Sequence, residues 1–327
     1  MRRILITGSS GYIGEQLVRS LAARDDVERI VGVDRTPAAF ALAKFVPLAQ
    51  DVAVPLDAAL QQNAIDTIVH AAYPVRPAHG ELAAHRALLQ ATKQLYESAA
   101  HHGVAQVVYL SSATVYGFAA AGAQHHPFTE DAPLCENARL AYVRYKVLAE
   151  HALDAAQSSG AMPTLTVLRP SFVVGRGSRN PLFEYLARRW VLLARQLAPL
   201  QLTHVDDVAA AVGELIARRM GGVFNLGSAG GVDAGQIACR MGAKTIAIAP
   251  ALLHPLNTLA WQLRLLALTP APTAALELLE RPWQVDSGRI ASRLGFHFRH
   301  TGEQALECMA RERMEARYRA RFNSSPD

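Results

Sequence analysis

Five short runs of Val, Ile and Leu, at residues 3–6, 30–33, 67–70, 107–110 and 165–168, show no period-two alternation. Such runs fit strands covered on both faces, since strict alternation belongs to strands with one wet face. Between them lie alanine-rich stretches with helical spacing, at 15–24, 82–101 and 140–156. This strand–helix rhythm predicts an α/β fold built on a doubly wound parallel sheet. The rhythm breaks after Gly175. Gly177, Asn180 and Pro181 introduce a helical stretch over 182–197, and a strand-like segment follows at 201–205. Residues 229–327 carry few strand signals and many Leu, Trp and Pro. The expected division is therefore 1–175 with 201–228 as one domain, and 176–200 with 229–327 as a smaller, mostly helical substrate lobe.

The first strand runs directly into Gly8-Ser9-Ser10-Gly11-Tyr12-Ile13-Gly14. Glycines at 8, 11 and 14 let a backbone turn sharply, approach a pyrophosphate closely and pack a helix tightly on its strand. The helix N-terminus then presents N–H groups and a partial positive charge to the phosphates. Three spaced glycines also occur in ordinary strand-to-helix turns. Asp34, at the end of the next strand and twenty residues beyond Gly14, strengthens the dinucleotide reading, because its carboxylate accepts hydrogen bonds from a ribose diol. The same carboxylate repels a 2′-phosphate, which favours NAD; the adjacent Arg35 keeps NADP open. A Rossmann-type NAD(P) domain is the expectation.

The 327 residues are 50% hydrophobic and 19% charged, a globular composition, with a net charge of +5. Several of the arginines crowd one late helical stretch (Arg311, Arg313, Arg317, Arg319, Arg321), which reads as a solvated face. Nucleic-acid binding would need interleaved aromatics and a reading module, and neither is present. Cys135, Cys239 and Cys308 lie far apart without a CxxC pair or metal spacing, which fits a reduced, cytoplasmic protein. The pairs His101-His102 and His125-His126 lack companion ligands, so no metal site is expected. The apolar stretch 247–268 is interrupted by His254, Asn257, Gln262 and Arg264; it does not read as a membrane span, although peripheral attachment stays open.

Further motifs follow in one order. Asp51-Val52, His70-Ala71-Ala72, Ser111-Ser112-Ala113-Thr114-Val115-Tyr116-Gly117, Tyr142-Val143-Arg144-Tyr145-Lys146 with Glu150 beyond, Leu168-Arg169-Pro170, His204-Val205-Asp206-Asp207 and Phe224-Asn225-Leu226-Gly227-Ser228 all stand after the glycine turn. Together they resemble the extended short-chain dehydrogenase/reductase superfamily, the group of NAD-dependent epimerases and dehydratases. The resemblance is dense over 1–228 and thin beyond, returning near Leu294-Gly295-Phe296. It implies adenine contacts from Asp51 and Val52, and cofactor contacts from Ala71, Ala72, Tyr73 and Pro170. Lys146 would bind the nicotinamide ribose. It also implies a homodimer through the helices over 82–101 and 140–156, although alanine-rich helices pack equally well within one chain.

Tyr142 and Lys146 stand at i and i+4, on one helix face. A phenol with a pKa near 10 is a poor base, but a nearby ammonium and a positively charged nicotinamide both favour the phenolate. It then takes a proton from a substrate hydroxyl while hydride leaves the same carbon. Ser112 would hold the reacting oxygen, with Thr114 as a second hydroxyl. Tyr145 points to another face, Tyr116 is structural or substrate-lining, and His70 and His204 are packing residues.

Departures from the family shape the substrate expectation. Ala113-Thr114 replaces the Asp-Glu pair of sugar-nucleotide dehydratases, so dehydration is not expected, and the segment resembles the 4-epimerase version. Phe172 stands where many sugar enzymes have asparagine. Leu200 stands where an arginine grips a diphosphate, and losing such a charge-assisted contact costs about 1.5–3 kcal/mol. Arg281 matches a later phosphate-binding arginine, but the Gly-Asp that usually follows is missing. The lobe stripe Trp190, Leu192, Leu193, Leu252, Leu253, Trp261, Leu265 and Leu266 reads as core more readily than as pocket. The expected activity is reversible hydride transfer on a sugar-nucleotide-like small molecule. The first alternative is a hydroxysteroid- or dihydroflavonol-type reaction on an apolar alcohol or ketone. A catalytically silent nucleotide sensor is the remaining one.

Overall fold

Every residue of the strands at 67–70 and 106–110 is buried, as unalternated runs of Val and Ile require when helices cover both faces. In the computed structural model, residues 1–118, 126–158, 160, 162–178, 180–265 and 268–322 are described, the side chains only as far as 315. The first half contains β1 (Arg2–Thr7), α1 (Tyr12–Ala22), β2 (Val27–Asp34), β3 (Phe45–Ala49), α2 (Asp57–Gln62), β4 (Thr67–His70), α3 (Glu81–His101), β5 (Gln106–Leu110) and α4 (Ala141–Gln157). Then come β6 (Thr164–Pro170), β7 (Phe172–Val174), α5 (Pro181–Leu186), β8 (Trp190–Ala194), β9 (Leu202–His204), α6 (Val205–Ala217) and β10 (Gly222–Leu226). The chain closes with α7 (Ala234–Arg240), β11 (Lys244–Ile248), α8 (Pro250–Gln262), α9 (Glu277–Glu280), α10 (Gly288–Leu294) and α11 (Gly302–Phe322).

Seven strands pair in the order β10-β6-β5-β4-β1-β2-β3, all parallel. The winding reverses between β1 and β4, so a crevice opens beyond their C-terminal ends, where α/β sheets take their ligands. Ile4, Ile6, Val69, Val108 and Leu168 pack from one sheet face onto Leu17 of α1 and Val212 of α6. Leu5, Ile68, Val107 and Tyr109 pack from the other face onto Leu95 of α3 and Leu153 of α4. Ile290, Leu294 and Phe296, from the segment assigned by sequence to the lobe, also join the first core.

One segment differs from expectation. The helix foreseen over 182–197 stops at Leu186, and Trp190–Ala194 is a strand paired in parallel with Lys244–Ile248. The cause is long-range: β11 supplies the ladder, while the Tyr185 hydroxyl donates to the Leu192 carbonyl and accepts the Leu192 N–H, at 2.7 and 3.1 Å. The apolar stripe departs from expectation as well. Leu193 and Leu253 are buried, whereas Trp190, Leu252 and Leu265 are exposed. Leu266 and His125 lie outside the described residues, as do the side chains of Arg317, Arg319 and Arg321. Among the described residues no helix is long and apolar enough to cross a membrane.

Candidate active site

The glycine turn is shaped by contacts that only glycine permits. Gly8 has φ +72°, and a Cβ there would meet the Ala72 backbone at 2.8 Å, so β1 and the end of β4 approach without side chains between them. A Cβ on Gly14 would fall 1.9 Å from the Gly8 carbonyl oxygen, so α1 starts hard against the turn. No side chain caps α1, leaving its first N–H groups directed at the crevice. Beside the turn, Asp34 accepts the backbone N–H groups of Ser10 and Thr36 at 3.1 and 3.0 Å, and the Ser10 hydroxyl donates to the Thr36 carbonyl. Arg35 is directed at Asp51, 4.0 Å away. Val52 lines a separate depression with Leu56 and Leu95.

A cleft of about 520 Å³ joins this turn to the lobe. Gly8, Gly11, Tyr12, Ile13, Gly14, Ala71, Tyr73, Ser112, Thr114, Tyr142 and Pro170 line it, whereas Ser10, Asp34, Arg35, Asp51, Val52, Ala72 and Lys146 do not. Among the described residues the Tyr12 hydroxyl, buried there, has no hydrogen-bond partner, and burial raises its pKa.

Ser112 extends from the end of β5 and caps the turn Ala113–Tyr116, its hydroxyl 2.9 Å from that of Thr114. The Tyr142 hydroxyl from α4 lies beside it: burial raises the Tyr142 pKa, and the neighbouring Ser112 hydroxyl opposes the rise. Beside the ammonium and the positive nicotinamide expected from the sequence, Ser112 is thus a further group that favours the phenolate. Lys146 is itself buried, and desolvation pushes it down to about 7 against the pull of Glu150. Its Nζ donates to the Leu110 carbonyl and lies 4.1 Å from the centroid of the Tyr73 ring and 4.6 Å from that of Tyr109.

Under this pair lies a buried polar network whose members are scattered in sequence. Glu150 accepts from Ser111 and from Arg169, whose Nε lies 3.0 Å from Oε2. Arg169 also donates to the Tyr116 hydroxyl at 2.6 Å, and Tyr116 donates to Asn225 at 2.7 Å. Tyr116 is thus structural. His70 is held between Thr7 and Thr92, and burial drives its pKa down to about 3.

Sequence reasoning named Tyr73 only as a cofactor contact and missed the His85 and Glu81 side chains grouped with it in the cleft. The Tyr73 ring stands edge-on to Tyr142 with centroids 5.2 Å apart, its hydroxyl is 3.1 Å from His85 Nδ1, and Glu81 lies 4.0 Å from His85 Nε2. Glu81 and His85 are i and i+4 on α3, but nothing local indicates that α3 borders Tyr142. Glu81 also removes the reason given for excluding dehydration, since a carboxylate lines the cleft although positions 113–114 supply none. Elsewhere, His204, Asp206 and His300 are brought together across the sequence. His204 Nδ1 accepts the Asp206 N–H at 3.2 Å and caps α6, so that lone pair is committed to the fold.

The lobe wall is apolar. Phe172 packs edge-on against Trp283 and Phe183, and Leu276, Leu278 and Leu279 lie beside them. Leu200 has no exposure and sits in the lobe core, its backbone paired with Val232. Arg76 at the cleft is bound to Glu184 at 2.9 Å.

The fold is shared with solved structures. MoeE5 in complex with UDP-glucuronic acid and NAD is 24% identical, with 96% of this chain and 99% of that chain covered and a TM-score of 0.75. The dTDP-glucose 4,6-dehydratase of Bacillus anthracis in complex with NAD is 16% identical, covering 96% and 97%, with a TM-score of 0.75. The UDP-glucose 4-epimerase of Thermus thermophilus in complex with NAD is 18% identical, covering 96% and 99%, with a TM-score of 0.73. Dehydratases and epimerases are both represented, so these likenesses do not separate the two reactions. No curated protein sequence matches the chain. The sequence profile of the NAD dependent epimerase/dehydratase family, however, matches residues 4–227, and the chain belongs to that family.

Proposed function

We propose that the protein is an NAD-dependent oxidoreductase or epimerase that works at a secondary alcohol or ketone carbon, with Tyr142 as the proton-transfer group. The observation that carries this reading is one cleft lined by both the glycine turn and the Ser112–Tyr142 hydroxyl pair. NAD, when bound, takes hydride from the carbon or returns it. The glycine cradle and the uncapped start of α1 suit such a dinucleotide. Asp34 favours NAD over NADP, with Arg35 directed to Asp51 rather than toward a 2′-phosphate. Ser112 orients the substrate oxygen, and Tyr142 removes or supplies its proton. Lys146 would hold the nicotinamide ribose, as the family resemblance implies.

For the substrate, the wall of Phe172, Trp283 and Leu279 favours a compact alcohol or ketone with an apolar body. The buried Leu200 and the paired Arg76 supply no evident grip on a diphosphate. The second reading, a nucleotide sugar, is favoured by what the solved relatives hold. The test is a panel of aryl and steroid ketones and of nucleotide sugars, each with NADH or NAD. Net NADH oxidation by apolar ketones is expected. Sugar isomerisation without net cofactor change, and no turnover of ketones, contradicts the substrate assignment.

A further inference from the structure

We infer that the outer face of α8 is a docking surface for an anionic lipid bilayer, placed at the mouth of the cleft. Leu252, Leu256, Leu259 and Leu263 recur at i, i+4, i+7 and i+11, one narrow stripe of a helix, and are 57, 49, 53 and 60% exposed. Isolated exposed leucines are ordinary, but a continuous row is characteristic of an interaction face.

The inner side of α8 is already committed. Leu253 is buried, Asn257 donates to the Ala271 carbonyl at 3.2 Å, His254 bonds Glu280 at 2.9 Å, and Trp261 stacks on His79 at 4.4 Å. The helix therefore cannot roll to hide its leucines without dismantling these contacts. It packs on β8, which begins with the exposed Trp190, and Lys244 of β11 lies over that ring at 5.3 Å.

Charge selects the occupant. From residue 234 to 276 the sequence has no Asp or Glu, and neither has 185–205. Of the basic residues in these two stretches Arg189, Arg195, Lys244 and Arg264 are exposed, as is Arg240, which is paired with Glu303 and Glu307. A second copy meeting this face by two-fold symmetry would set like charges against each other. Anionic headgroups complement them, leucines and a tryptophan enter the interface, and each basic residue adds to the attraction. Asn257, Pro270 and Ala271 line the cleft from the same segment, so an apolar substrate dissolved in the bilayer would meet the opening directly.

The experiment is co-sedimentation of the whole protein with vesicles of phosphatidylcholine alone, or of phosphatidylcholine with phosphatidylglycerol, at low and high salt. It needs neither substrate nor cofactor, so its failure is separate from failure of the proposed activity. Retention on the anionic vesicles is expected, falling with added salt. Leu256→Glu/Leu259→Glu lowers it on the order of tenfold, and Lys244→Glu/Arg264→Glu, which touches no leucine, lowers it independently. The inference is overturned by no retention on anionic vesicles, or by retention indifferent to headgroup charge and salt. Unchanged retention of both variants overturns it too, as does a solution dimer that Leu256→Glu/Leu259→Glu dissolves while vesicles bind nothing.

Discussion

The floor of the cleft and its lobe wall are built from opposite materials. The floor is polar and directional: Lys146 donates to the Leu110 carbonyl at the end of β5, and beneath it Ser111, Glu150, Arg169, Tyr116 and Asn225 are linked by bonds that tie α4, β6 and β10 together. The wall is a set of aromatic and leucine contacts with few directional bonds. The difference separates two tasks. Reacting atoms need fixed geometry, which paired buried polar groups provide. A substrate body needs shape and dryness, which apolar side chains provide and which local repacking readily alters.

Substitutions in the floor should therefore remove chemistry or stability, and those in the wall should change preference. The largest effect belongs to Tyr142→Phe, which lowers turnover by roughly 10²- to 10⁴-fold while NADH affinity, followed by quenching of intrinsic fluorescence, stays unchanged. Glu150→Gln leaves Arg169 charged and without its ion-pair partner at a site where both side chains are at most 6% exposed. Denaturant titration should show a loss of about 3–5 kcal/mol, and replacing both residues by apolar ones of similar volume should restore much of it. Phe172→Ala in the wall should cost about 10- to 200-fold in kcat/KM for an apolar ketone with no change in the melting of the NADH complex relative to its free form.

A further expected effect is a pH dependence. Burial lowers Lys146 from 10.5 to about 7, so between those values the unfolded chain holds a proton that the folded one has released. Stability then rises with pH across that window, and the penalty of the buried charge is full below it. Thermal melts of the cofactor-free protein should show this rise, and Lys146→Met should remove it.

The floor was largely legible in the sequence because its signals are short-range. Glycines three apart, Tyr142 and Lys146 one helical turn apart, and Ser112 at a strand end each state their geometry within a few residues. What stayed hidden depends on distant partners. Trp190–Ala194 becomes a strand only because β11 lies beside it, and the same leucines had been read as helix. The Tyr73–His85–Glu81 group forms only when α3 is laid beside Tyr142. The apolar stripe of the lobe reads as core in the sequence, yet of its leucines on α8 Leu253 is buried while Leu252 faces out. An i, i+4 spacing also does not reveal that Lys146 turns its Nζ to the Leu110 carbonyl.

The central claim is that the Tyr142 phenol works beside a dinucleotide held at the glycine turn. It is tested most directly by titrating protein labelled with ¹³Cζ-tyrosine by NMR, the Tyr142 resonance being assigned from Tyr142→Phe, without and with saturating NAD. Free protein should show the phenol above its ordinary pKa, as burial dictates, and NAD, whose nicotinamide is positive, should bring it down. A Tyr142 resonance whose position and titration ignore NAD would contradict the claim.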